Sequence, residues 1–156
     1  MRLSELLNPQ SITLRLKATT KAEALVEMVN LLESGHQFAS QGEILDRVTR
    51  REQMMSTALF PGAAIPHGKA RSADHMAAAC GVSSQGVSFD SEDGQPTHLF
   101  ILLVSPENAT TPHVKLLANI SRLLKEESVR QSLLNATSPE EFLAAVKSAE
   151  SVLIPQ

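Results

Sequence analysis

The chain has 156 residues, of which 42% are hydrophobic, 20% charged and 3% aromatic, and its formal net charge is −3. This length predicts a single domain with a sizeable core. The acidic balance and the lack of Trp and Tyr argue against a nucleic-acid-binding surface, which needs basic residues and stacking aromatics. No apolar run approaches the roughly 20 residues that span a bilayer, and the N-terminus has no signal-peptide stretch. We therefore expect a cytoplasmic protein without membrane insertion.

The N-terminal third predicts a strand followed by a helix. Residues 11–18 ("SITLRLKA") alternate apolar and polar side chains, which is the period of a half-buried strand. In "TTKAEALVEMVNLLESG", Thr20 and Glu23 have the spacing of a capping box, and Gly35 is placed to end the helix.

The middle of the chain predicts another helix and two buried strands. Ser40 and Glu43 form a second capping box. Residues 76–82 ("MAAACGV") and 98–104 ("HLFILLV") are continuous apolar runs, typical of strands covered on both faces. The only cysteine, Cys80, lies in the first run, so an internal disulfide is excluded and we expect a small buried hydrophobic residue.

From residue 111 onward the sequence predicts helices. The first has Thr111 as its N-cap and Pro112 at its first position, and a later helix repeats the arrangement with Ser138, Pro139 and the box-closing Glu141. Strands that alternate with helices, followed by a helical end, predict an α/β layered single domain.

The five histidines give different predictions. We expect His36 and His75 to be solvated loop residues, and His98 to be a strand-end residue with a hydrogen-bond partner. His67, His75 and His113 lack the short spacings of metal ligands, so we expect no metal. There is no Gly-rich nucleotide cradle and no GxSxG nucleophile elbow, and we expect no cofactor. Phosphoryl relay through histidine is the leading reaction that remains.

His67 lies in residues 60–70, "FPGAAIPHGKA". Pro66 has a fixed φ and Gly68 allows unusual backbone angles, so the pattern predicts an imidazole presented at a strand exit. A histidine there is a serviceable nucleophile. An ordinary strand that ends at a turn gives the same pattern.

Two more residues are candidates for binding an anion. His113 falls near the second position of a predicted helix, where the N-terminal field favours a neutral imidazole; a surface residue in a first turn is the alternative. Arg51 lies at the border of an apolar helix face. Its guanidinium matches phosphate oxygens, and an arginine that covers apolar surface is the alternative.

The stretches "STALFPGAAIPHGK" and "HVKLLANISRLL" resemble the enzyme IIA proteins of the bacterial phosphotransferase system, in the fructose/mannitol class that includes the nitrogen-regulatory type. The resemblance covers nearly the whole chain and implies one IIA type-2 domain over 1–156, with a mixed β-sheet flanked by helices on both faces. It implies that His67 is phosphorylated, that His113 hydrogen-bonds the phosphate and that Arg51 offsets its charge. Thr57 or Ser56 could orient the ring or the phosphate.

The resemblance also implies partners. The phosphate would come from phosphohistidine on HPr or on the nitrogen-branch carrier, and the protein would act as a phosphorylation-dependent regulator. Passing phosphate to a fructose/mannitol-type IIB domain is one alternative, and a non-catalytic binding module is another. Many relatives carry "GIGNG" where this chain has "ALFPG" (58–62), and this departure bears on the choice of partner.

Overall fold

The computed structural model describes residues 1–38 and 42–155 and contains a five-stranded mixed sheet. The strands are β1 (Ile12–Thr13), β2 (Ala63–Ala64), β3 (His67–Ala70), β4 (Ala77–Val87) and β5 (Thr97–Pro106). Strands β4 and β5 are antiparallel, β1 pairs in parallel with β4, and both β2 and β3 pair in parallel with β5. The sheet is therefore mixed, as predicted.

Within the described residues, five α-helices cover the two faces of the sheet. They are α1 (Lys21–Gly35), α2 (Glu43–Met54), α3 (Thr110–Leu124), α4 (Glu127–Leu134) and α5 (Pro139–Leu153), and two 3-10 turns (Leu3–Leu6 and Pro9–Ser11) precede them. Helices α1 and α2 share one apolar cluster with the sheet, and α3, α4 and α5 share the other. The predicted α/β layering is confirmed. None of the helices in the described ranges is long and apolar enough to cross a membrane.

The two apolar strands supply both cores because successive side chains point to opposite faces. In β4, Ala77 and Ala79 pack with α1 and α2, whereas Ala78 and Cys80 pack with the C-terminal helices. Cys80 is fully buried and unpaired, and burial raises the pKa of its thiol. Its predicted role as a buried hydrophobic residue is confirmed.

The capping prediction holds in full for α1 and in part for α5. The Thr20 hydroxyl accepts from the Glu23 N–H at 3.3 Å, and the Glu23 carboxylate accepts from the Thr20 N–H, which completes the box before α1. Ser138 caps α5 by accepting from the Glu141 N–H at 3.0 Å. The Glu141 carboxylate does not close a box there, because it accepts instead from the Thr137 hydroxyl at 2.5 Å.

The predicted start of α3 is wrong by two residues. The helix begins at Thr110 after Ala109, so Thr111 is not the cap and His113 is the fourth helical residue. The chain leaves β5 through a turn in which the Ala109 N–H donates to the Pro106 carbonyl at 3.0 Å, and helical geometry follows at once.

The predicted cap of α2, Ser40, lies outside the described residues. The residue that precedes Glu43 is Gly42, whose φ of 99° lies in the left-handed region that glycine tolerates best. The helix packs inward through Ile44 and Val48, which are buried.

The strand predicted over 11–18 is shorter than expected. Only Ile12–Thr13 pairs as a strand, although the Leu16 N–H still donates to the Val82 carbonyl at 2.9 Å. Ile12 and Leu14 pack on one side of the sheet and Leu16 on the other. Residues two apart in a regular strand share a face, so the segment rotates between Leu14 and Leu16, and it does not keep the regular geometry of a strand over 11–18.

Candidate active site

His67 is the first residue of β3, within an interrupted edge strand. Strands β2 and β3 pair with β5 at the same offset, Ala63 opposite Leu99 and His67 opposite Leu103. Between them, the Pro66 carbonyl accepts from the Leu103 N–H at 3.1 Å. The C=O and N–H of one strand residue point to the same side, so the missing N–H of Pro66 also faces β5, and the ladder lacks one hydrogen bond where β2 and β3 are separated. The predicted strand exit is therefore wrong, and the imidazole projects from a strand that continues beyond it.

Gly68 has a different role from the one predicted, because its φ is not positive. A Cβ at this position would lie 3.2 Å from both the backbone N and Cγ2 of Val48, so glycine is needed for α2 to pack this closely. Since strand side chains alternate, His67 and Lys69 project to the opposite face, toward α3. The Lys69 ammonium donates to the Thr110 hydroxyl at 3.0 Å, which places the start of α3 beside this strand.

The backbone fixes the tautomer of His67. Its Nδ1 lies 2.8 Å from the Ile65 carbonyl oxygen, which can only accept, so Nδ1 carries the proton and Nε2 keeps a free lone pair. Burial lowers the pKa of His67 and the Arg51 guanidinium lowers it further, while the Ile65 hydrogen bond and the Glu52 carboxylate act in the other direction. The half-buried imidazole is thus neutral near pH 7 and unprotonated at Nε2.

His113 lies next to His67, with 5.6 Å between the ring centroids and 54° between the ring planes. Its Nδ1 is 2.7 Å from the hydroxyl oxygen of Ser105, and the residue is 5% exposed. Burial, followed by the charges of His67 and Lys69, lowers the pKa of His113 to about 4. The imidazole is therefore neutral, as predicted, but burial is the main cause rather than a position in the first turn.

Three arginines of α2 line the same cleft as the two histidines. Arg47, Arg50 and Arg51 are spaced three and four residues apart, which places them on one helix face. Lys69 also lines this cleft. Of these three arginines, only Arg51 was a predicted site residue. The spacing of Arg47 and Arg50 relative to Arg51 indicated that all three lie on one helix face. Nothing in the local sequence indicated that this face borders His67.

Each of these arginines already has an acceptor. Arg47 donates to the Glu107 carboxylate at 2.8 Å. Arg50 forms an ion pair with Asp46, one turn earlier in α2, at 3.1 Å. Arg51 donates from Nη1 to the Met55 carbonyl at 2.9 Å, at the C-terminal end of α2. Because a carbonyl is neutral, the charge of Arg51 is not cancelled by this partner, and the guanidinium can compensate an added anion.

Among the described residues, no hydrogen bond joins the side chain of Thr57 or Ser56 to the imidazole of His67. Thr57 is buried, and both its N–H and its hydroxyl donate to the Glu52 carboxylate, at 2.8 and 2.6 Å. The Ser56 hydroxyl donates to the Phe89 carbonyl at 3.0 Å. Thr57 supports the site through its backbone. Its carbonyl accepts from the N–H of Ile65 at 3.2 Å, and the Ile65 carbonyl in turn accepts from Nδ1 of His67.

The remaining histidines lie elsewhere. His98 donates from Nδ1 to the Ser83 carbonyl at 2.8 Å, which confirms its predicted hydrogen bond. His36 is half-buried rather than solvated, with Nε2 3.2 Å from the Ala78 carbonyl, and its ring centroid is 6.0 Å from that of the exposed His75. Within residues 1–38 and 42–155, no group of three or more His, Cys, Asp or Glu residues could hold a metal ion.

Residues 5–149 match the family described as "Phosphoenolpyruvate-dependent sugar phosphotransferase system, EIIA 2". The chain belongs to this family. This confirms the resemblance on which the sequence analysis relied and is consistent with a phosphocarrier.

Curated relatives come from both branches of the family. The chain is 34% identical over 143 residues to the PTS system fructose-specific EIIABC component of Bacillus subtilis, covering 92% of this chain and 22% of that protein. It is 33% identical over 135 residues to the nitrogen regulatory protein of Bradyrhizobium diazoefficiens, covering 85% of this chain and 86% of the relative. The chain therefore spans about a fifth of the fructose-specific relative and most of the regulatory one.

Solved structures confirm the fold. The crystal structure of nitrogen regulatory protein IIA-Ntr from Neisseria meningitidis matches with a TM-score of 0.84 and 30% identity, covering 92% of this chain and 97% of that one. Enzyme IIA mannitol of Escherichia coli, solved in complex with phosphorylated enzyme IIB mannitol, matches with a TM-score of 0.77 and 26% identity, covering 91% and 97%.

Proposed function

We propose that this EIIA-family protein is a phosphocarrier that accepts a phosphoryl group on Nε2 of His67. The observation that carries the proposal is the hydrogen bond from Nδ1 of His67 to the Ile65 carbonyl. It leaves the lone pair of Nε2 available in a cleft lined by arginines. A neutral, oriented imidazole is what nucleophilic catalysis requires of histidine.

The transfer needs no proton relay. The Nε2 lone pair of His67 attacks the phosphorus in line, an N–P bond forms, and the N–P bond of the donor phosphohistidine breaks, so that its electron pair returns to the donor imidazole. The Nδ1 proton stays between His67 and Ile65, and the ring takes up the positive charge that the donor ring gives up. Positioning and electrostatics carry such a step.

Two residues are suited to hold the phosphoryl group. Arg51 brings a positive charge to the cleft, and its fork geometry fits phosphate oxygens. His113, neutral and beside His67, can donate one hydrogen bond to a phosphoryl oxygen. Phosphorylation changes the charge of this surface by about −1.5 to −2 at neutral pH, and a partner protein can read the difference.

The donor in this proposal is phosphohistidine on HPr or on the nitrogen-branch carrier, and the protein acts in the cytoplasm as a phosphorylation-dependent regulator. Its match to IIA-Ntr, with the higher TM-score of the two structures, favours this role. Passing phosphate to a IIB domain is the second candidate, supported by the 34% identity to the fructose-specific EIIABC component.

Intact mass spectrometry after incubation with phosphoenolpyruvate, enzyme I and either carrier tests the proposal. We expect one acid-labile phosphate on the wild-type protein and none on His67→Ala. Phosphorus NMR should report a phosphohistidine substituted at Nε2. The matched control is His75→Ala, an exposed histidine beside His36 and outside the cleft, which should accept phosphate at the wild-type rate.

Undiminished phosphorylation of His67→Ala would overturn the assignment. No phosphate from either carrier, with a folded wild-type protein, would favour the binding module. Transfer from the phosphorylated protein to a sugar-specific IIB domain would establish the transport role, whereas retention of the phosphate, with partner binding that differs between the two states, would establish the regulatory role.

A further inference from the structure

Ser105 connects the sheet to the second histidine of the cleft. It lies near the end of β5, opposite Lys69 in the strand register, and is fully buried. Its hydroxyl oxygen lies 2.7 Å from Nδ1 of His113. Among the described residues this is the only hydrogen bond of that hydroxyl.

The direction of this hydrogen bond decides what His113 can do. A neutral imidazole carries one proton. If the Ser105 hydroxyl donates to Nδ1, the proton of His113 is on Nε2, and the histidine can donate to a phosphoryl oxygen. If Nδ1 carries the proton instead, Nε2 presents a lone pair, which would repel that oxygen.

Burial favours the first arrangement. Were Nδ1–H of His113 to donate to Ser105, the hydroxyl proton of Ser105 would be left without an acceptor inside the protein, and a buried unpaired donor is costly. When the hydroxyl donates, both buried polar atoms are paired, and the remaining N–H of His113 is on the other side of the ring.

We propose that Ser105 is a positioning residue that fixes the proton of His113 on Nε2 and thereby makes this histidine a hydrogen-bond donor to the phosphoryl group. The inference rests on the proposed phosphocarrier function. It gives the two histidines opposite tautomers, with His67 protonated on Nδ1 through Ile65 and His113 protonated on Nε2 through Ser105. One ring is then the nucleophile and the other is the donor.

The first experiment needs neither a phosphate donor nor a variant. Long-range proton–nitrogen NMR on the wild-type protein at pH 7, with nitrogen-15 histidine, distinguishes a protonated ring nitrogen from an unprotonated one. We expect a protonated Nε2 and an unprotonated Nδ1 at His113, and the reverse at His67. A protonated Nδ1 at His113 would overturn the inference.

The second experiment compares Ser105→Ala with Ser105→Thr, which keeps the hydroxyl. In the alanine variant we expect the His113 proton to exchange between both nitrogens and the rate of phosphoryl acceptance to fall roughly 10-fold, because one hydrogen bond to a charged group is weakened. The threonine variant should restore the wild-type tautomer. The matched control is Ser83→Ala, a buried serine near the other end of the β4–β5 pair whose hydroxyl accepts from the Gly86 N–H.

The outcomes separate the two proposals. A wild-type protein that takes no phosphate defeats the phosphocarrier function, while the NMR result still decides the tautomer. A wild-type protein that takes phosphate, with an alanine variant of unchanged tautomer and unchanged rate, defeats the role of Ser105 alone. An equal fall in rate in the Ser83→Ala control would show a general packing effect and would also defeat it.

Discussion

Replacing His113 with Asn should change how the stability of the protein depends on pH. In the folded protein the ring is 5% exposed, and burial lowers its pKa to about 4 from an ordinary value of 6.5. The unfolded chain therefore binds a proton at this position at a higher pH than the folded chain does. The stability that depends on a neutral His113 is fully present above about pH 6.5 and is lost as the pH falls toward 4.

The magnitude follows from the size of the pKa shift. One pKa unit corresponds to about 1.4 kcal/mol, so a shift from 6.5 to about 4 corresponds to roughly 3 kcal/mol of unfolding free energy at most. Asn does not titrate in this range, so the variant lacks this loss. At neutral pH the variant should be less stable than the wild type because packing and the hydrogen bond to Ser105 are lost, and its deficit should shrink by up to about 3 kcal/mol on going to pH 4.

Urea unfolding of both proteins at intervals from pH 4 to pH 7.5 measures this difference directly. Subtracting one curve from the other removes the contribution of all other titrating groups that the substitution leaves unchanged. His113→Gln should give the same slope with a different constant offset, because its side chain packs differently but does not titrate either. A deficit that stays constant over the whole range would refute the reasoning.

Three further predictions test the scaffold around the site. Gly68→Ala should cost about 1–3 kcal/mol of stability and slow phosphoryl acceptance, because the new Cβ would lie 3.2 Å from Val48 and push α2 away. Thermal unfolding measures the first effect and intact mass the second. An unchanged melting temperature would contradict the close packing. Glu52→Gln should destabilise the protein by about 1–3 kcal/mol in chemical unfolding, because Gln removes the charge that pairs with Lys21 at 3.1 Å and leaves only one oxygen for the two Thr57 donors, and wild-type stability would contradict both contributions. Cys80 should resist alkylation in the folded protein and react on unfolding, because burial raises its thiol pKa; rapid labelling of the native protein would be inconsistent with this account.

Much of the fold could be predicted from local patterns in the sequence. The helix that begins after Thr20 has a capping box and an apolar face, and both are local signals. The apolar runs of β4 and β5 likewise predicted strands covered on both faces. The patterns failed where tertiary contacts decide the outcome, as at Thr111, which is inside a helix that a turn from β5 starts two residues earlier.

The candidate site could be predicted only in part. The motif around His67 and the family resemblance indicated the candidate nucleophile, and the same resemblance indicated His113 and Arg51. Nothing local indicated Ser105, because an isolated serine after an apolar run carries no signal until a strand and a helix bring it to a histidine. The position of Arg47 in the cleft could not be predicted either, because its helix face could equally have been exposed to solvent without a neighbouring histidine.

The sequence by itself predicted most of the helices, the two buried strands and His67 as the candidate reactive residue, because capping, periodicity and side-chain chemistry act over a few residues. Only the tertiary structure decided the protonation of the two histidines. Burial lowers the pKa of both, the Ile65 carbonyl orients one ring and the Ser105 hydroxyl contacts the other. Desolvation and hydrogen bonding depend on which groups surround a side chain, and those groups come together only when the chain is folded.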